Sequence, residues 1–149
     1  MKRRTTIAIA LAVAASLALA GTAQAGSKWI RQTGQIVGDS ATSVKLRVKV
    51  RNGQPEKISG FVASDVLTRC GAKRNPRRFQ YSALNPIPVH ADDSFNTVLL
   101  DDSIGLRISL VGVVKRHGAA VVGTIKTNRF EPGKNQTCKV PKQKFKTAK

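Results

Sequence analysis

The chain has 149 residues, 26 of them Lys or Arg and eight Asp or Glu, for a formal charge of +18. That length suits one domain with a single core. The charge bears on partners and solubility, not on fold.

Met1-Lys2-Arg3-Arg4 is a short basic start, Ile7 to Ala20 is an apolar run, and Ala23-Gln24-Ala25 is a small-residue site before Gly26. This order predicts a secretory signal peptide over residues 1–25. The run is short for a membrane span of about 20 residues, and no stop-transfer pattern follows it. No Cys stands at the cleavage point, which argues against a lipoprotein. Arg3-Arg4 alone does not choose between Sec and twin-arginine export. Removing 25 of 149 residues leaves 124, with 23 basic and eight acidic side chains and a formal charge of +15. Residues 26–149 are expected to form a single secreted β domain with no transmembrane span.

Beyond the leader the hydrophobic period is close to two, the mark of strands. Val44, Leu46, Val48 and Val50 alternate with Lys45, Arg47, Lys49 and Arg51. One face is apolar and the other cationic, as in an antiparallel sheet. Asn52-Gly53 marks a hairpin turn. A two-residue loop would put Ile58 and Val62 on the cationic face. Register therefore predicts a three-residue loop with Gly53 at positive φ, or an equivalent bulge, so that both join the valines.

A strand follows over about 57–63, then Val66-Leu67 leads into Cys70. Gly71 to Arg78 reads as a loop, and Phe79, Tyr81 and Ala83 alternate in the next strand. Pro86 and Pro88 flank Ile87, which suits an edge. Asp92-Asp93-Ser94 and Asp101-Asp102-Ser103 read as turns around a strand from Phe95 to Leu100. Ile104, Leu106, Ile108, Leu110 and Val114 share one parity, Lys115 to Gly118 makes a loop, and Ala119 to Thr127 returns. Gly112 and Gly123 fall mid-strand, where a bend, a bulge or close packing fits. Glu131 to Thr137 reads as a loop, and the end of the Cys138–Lys149 segment is expected to fray. The total is seven to nine short strands without an amphipathic helix. The expected fold is all-β, an antiparallel β-sandwich or a small β-barrel.

Cys70 and Cys138 are the only cysteines. An even count in an exported chain predicts a disulfide. It closes a loop of about 70 residues, worth about 4 kcal/mol in the chain-entropy account.

Arg69-Cys70, Leu110-x-Gly112-x-Val114, Val121-x-Gly123-Thr124, Cys138 and the basic end carry a resemblance to exported β-rich proteins of actinobacteria. The resemblance implies the β fold and the disulfide, and no activity.

Enzyme patterns are thin. His90 and His117 are the only histidines, and no G-x-S-x-G, H-E-x-x-H or P-loop motif is present. A triad of His90, Asp92 and a distant Ser is compatible with the sequence, because triads follow geometry rather than order. The two Asp pairs lie about 20–25 Å apart along a strand, too far to share an ion, and read as turn residues. No cofactor is expected, and no metal. The cations are the stronger signal. Lys45, Arg47, Lys49 and Arg51 form one row, Arg74, Arg77 and Arg78 a second cluster, and Lys142, Lys144 and Lys146 a third. If the three share a face, they form a footprint for an anionic partner. The same residues also fit a solvated face that protects sheet edges. A nucleic-acid partner fits less well, because Phe61, Phe79, Tyr81, Phe95 and Phe130 read as core and leave Trp29 as the one candidate for an exposed aromatic, a position that fits a cap on the core equally. The leading expectation is an exported, non-catalytic domain that binds anionic envelope or extracellular polymers. The alternatives are an exported hydrolase using His90 or His117 and a small-ligand-binding β-barrel.

Overall fold

The structure, a computed structural model, describes residues 26–149. The signal peptide and its cleavage site after Ala25 lie outside the described residues. The described chain is nine strands joined by turns, with no α-helix. They are β1 (Ser27–Ile36), β2 (Asp39–Arg51), β3 (Gln54–Cys70), β4 (Asn75–Ala83), β5 (Ile87–Pro88), β6 (Ser94–Asp101), β7 (Leu106–Lys115), β8 (Ala120–Glu131) and β9 (Gln136–Ala148).

All nine belong to one antiparallel sheet in the order β4-β3-β2-β1-β9-β8-β7-β6, with β5 continuing the β4 edge along β3. The end of β3 also pairs with the start of β9, where Arg69 faces Lys139 and Cys70 faces Cys138. That second pairing closes β3, β2, β1 and β9 into a ring. The result is a single sheet wrapped on itself and left open between β4 and β6, rather than two stacked sheets. Cys70 and Cys138 are bonded across the seam, as expected, and both are fully buried.

The strands are longer than expected, 13 residues in β2 and β9 and 17 in β3. Bulges hide that length from a period-two reading. The β2–β3 turn is the two-residue Asn52-Gly53, both at positive φ (52° and 78°), not the three-residue loop. The shift comes from a bulge, because Val50 pairs with Pro55 but Lys49 with Lys57. Pro55 has no N–H to lose, and the bulge returns Ile58 to the core opposite Val48. A second irregularity follows at Gly60 (φ 60°), where Arg47 pairs with Ser59 and Lys45 with Val62. It buries Phe61 and turns Val62 onto the cationic face, against expectation. A third, at Asp65 (φ 56°), keeps Val66 inside.

Other boundaries also move. The loop after Cys70 is only four residues, because Asn75 already pairs with Cys70. Ile104 lies in a 3-10 turn over Asp102–Ile104, not in β7. The chain end does not fray: Thr147 and Ala148 pair with both β1 and β8, and the Lys149 N–H donates to the Ala119 carbonyl. β1 has a mostly polar sequence that gives little strand signal. It is held by a buried polar link, in which Gln32 donates to the Gly118 carbonyl and accepts from the Thr147 hydroxyl at 2.5 Å.

The interior is one apolar cluster that includes the rings of Phe61, Tyr81, Phe95 and Phe145. Phe61 and Phe145 meet edge-on at 5.6 Å between centroids. Gly112 and Gly123 are paired across β7 and β8 for close packing: a Cβ would stand 2.6 Å from the Phe95 ring in one and 2.7 Å from the Phe145 ring in the other. Phe130, expected in the core, is 41% exposed, because it has the outward parity of Lys126 and Asn128 on β8 and lies beside the 3-10 turn.

Candidate functional site

Outward side chains of β1, β2 and β3 build one cationic face. Lys45, Arg47 and Arg51 are exposed and Lys49 is half-buried. Across the ladder Arg31 stands opposite Arg47, and Lys57 opposite Lys49. Neither Arg31 nor Lys57 stood out in the sequence, since each joins the row only through register. Like charges directly opposite oppose pairing. Arg47 offsets part of this by placing its guanidinium 5.3 Å from the centroid of the Trp29 ring, a contact worth about 0.5–1 kcal/mol at an exposed site. Trp29 is 45% exposed, which decides for a solvent-facing ring rather than a cap on the core.

One acid interrupts the row. Glu56 Oε2 lies 3.2 Å from Lys49 Nζ and 3.8 Å from Arg51 Nε. The Lys49 ammonium holds the Glu56 carboxyl below its usual 4.5, against an opposing desolvation effect, and Arg51 and Lys57 add to the lowering. A carboxyl lowered in the fold stabilises it above the unfolded pKa and loses that effect as pH falls through the folded value. E56Q is therefore expected to be less stable than wild type at neutral pH. The gap in melting temperature should close below 4.5, the unfolded value. Thermal melts across that range check this, and a gap independent of pH refutes the pairing.

The second predicted cluster does not exist as one. Arg77 and Arg78 are neighbours on a strand and point to opposite sides. Arg78 Nη1 lies 3.2 Å from Asp39 Oδ2 and also donates to the Asp65 carbonyl. Arg77 Nη1 lies 3.8 Å from Glu131. Arg74 sits in the turn after Cys70 at φ 51°. Of the third cluster, Lys144 and Lys146 share the outward side of β9, with Phe145 and Thr147 buried between and beyond them. Lys146 pairs with Gln35 of β1, one strand from the β2 row, so it extends the cationic face. Lys142 and Lys144 instead meet Arg78 and Asp39 around a hollow of about 550 Å³.

A larger hollow, about 1020 Å³, opens beside the disulfide. Four cations line it: Arg69, Arg74, Lys126 and Lys139. Only Arg74 was a candidate from sequence. Arg69 precedes one cysteine and Lys139 follows the other, and the antiparallel pairing of β3 with β9 sets the two cations opposite each other. Lys126 arrives through β8, which no local signal discloses.

No protein family, curated protein or solved structure matches the chain.

His117 sits in the turn between β7 and β8, exposed, with Nδ1 3.1 Å from the Gly53 carbonyl, neither a hydroxyl nor a carboxylate. His90 is exposed and its backbone N–H donates to the Ser94 carbonyl. Asp92 Oδ1 accepts from Ser94 Oγ at 2.6 Å and from Ser94 N at 3.1 Å, which holds its carboxyl low. Asp101 caps the Asp102–Ile104 turn in the same way, through Ser103. Both aspartates are the turn residues their sequence suggested. Among the described residues no helix is long and apolar enough to cross a membrane.

Proposed function

We propose that this protein is an exported, non-catalytic β domain that holds anionic envelope or extracellular polymers against its cationic sheet face. The observation that carries the reading is the gathering of Arg31, Lys45, Arg47 and Lys57 on one outward face, with the exposed Trp29 ring under the Arg47 guanidinium and, among the described residues, Glu56 the one acid paired into the row. A flat face of like charge gains from a polyanion, which relieves its self-repulsion and releases counterions. The leader, the disulfide and the resemblance to exported actinobacterial proteins support action outside the cytoplasm, in the medium or at the wall.

The deciding variant spares Lys49 and Arg51, which already face Glu56. R31Q/K45Q/R47Q is expected to weaken binding to heparin and to host envelope fractions. Its slope of log affinity against log salt should fall by about two to three, a little under one per lost contact. Binding and slope equal to wild type would remove this face from the reading.

A further inference from the structure

We infer that the hollow beside the disulfide is a discrete site for an acidic oligosaccharide segment carrying at least two negative charges. The inference rests on the polymer-binding reading and adds a defined pocket to its flat face. Arg69 and Lys139 stand directly opposite each other on β3 and β9. Like charges at that register oppose strand pairing, yet the adjacent Cys70–Cys138 bond holds them together. Arg74 joins them from a tight turn in which its N–H donates to the Gly71 carbonyl at 3.1 Å, and Lys126 joins from β8. Among the described residues no carboxylate lines the hollow. The nearby Glu131 is already occupied, accepting from Gln136 Nε2 at 2.8 Å and facing Arg77 at 3.8 Å. The fold thus stores a repulsion that an anion seated between Arg69 and Lys139 removes.

The neutral lining narrows the ligand. Asn128, Asn135 and Gln136 bring side-chain amides, which both donate and accept and so suit hydroxyl groups. Arg69 and Arg74 offer planar forks that match sulfate, phosphate or carboxylate. A space of about 1020 Å³ is far larger than one inorganic anion needs and lies at the upper end of ligand clefts. Clustered cations with interleaved amides fit a charged sugar chain better than a lone ion.

The test is calorimetric titration of the full mature chain with a heparin-derived tetrasaccharide, with a neutral tetrasaccharide and inorganic sulfate as controls. Saturable one-site binding of the sulfated sugar is expected, with little from either control. R69Q/K139Q should bind it about tenfold more weakly or worse, while R31Q/K45Q/R47Q keeps wild-type affinity. Removing the opposed charges should leave the melting temperature of R69Q/K139Q equal or raised, so lost binding is not lost folding. Equal affinity in R69Q/K139Q, or equally tight binding of inorganic sulfate, overturns the site. Retention of whole heparin without tetrasaccharide binding overturns the site and leaves the flat-face reading standing. Failure of both overturns both.

Discussion

C70A/C138A is expected to lower stability by about 4 kcal/mol, since the bond closes a span of 68 residues. For a chain of this size that corresponds to a melting temperature about 15 °C lower. The loss concentrates at one seam. β3 and β9 share only two register pairs, Arg69 with Lys139 and Cys70 with Cys138. The first pair repels, so the covalent bond supplies most of what holds the second. β9 keeps its ladders to β1 and β8 in the variant, so the expected product is a looser sheet rather than an unfolded chain at room temperature. Circular dichroism melts of the variant, and of wild type under reductant, should agree. A change of only a degree or two would show that strand pairing closes the ring unaided.

F145A is expected to cost about 3–5 kcal/mol, the range for removing a buried Phe. Phe145 is 1% exposed and packs edge-on against Phe61. It also packs against Gly123, which has no side chain to move into the vacated space. The same geometry makes the reciprocal prediction. G123A in wild type places a methyl 2.7 Å from the ring and should cost about 1–3 kcal/mol through overpacking. In the F145A background the part of that cost due to the ring should go, while the Val111 carbonyl, 2.8 Å from the added methyl, keeps the remainder. Denaturant melts of the four proteins measure the coupling. Additive costs would mean that the ring and the glycine do not meet.

The disulfide was readable from two cysteines and a leader, because only one intramolecular pair exists. The ring over Gly123 was not, because it depends on β8 and β9 pairing Gly123 with Phe145. The cationic row was readable on β2, where period two runs unbroken from Val44 to Arg51. Its neighbours were not: Arg31 belongs to a polar strand with little hydrophobic alternation, and Lys57 reaches the face through the bulge after Pro55. The grouping of Arg74, Arg77 and Arg78 failed for the opposite reason. Adjacency in sequence on a strand sends side chains to opposite faces, and Asp39 and Glu131 then claim two of the three.

By itself the sequence determined an all-β chain, its apolar faces, its basic balance and its one possible intramolecular disulfide, because these follow from composition and local period. Only the tertiary structure decided the rest. β3 changes its inward parity three times, so that Pro55, Ile58, Phe61, Ala63, Val66, Thr68 and Cys70 all face the core. No single periodicity describes such a strand. Those shifts bend it far enough to pair with β2, β4, β5 and β9 in turn. The bend closes the ring and brings Arg69 to Lys139, a meeting set by contacts almost 70 residues apart.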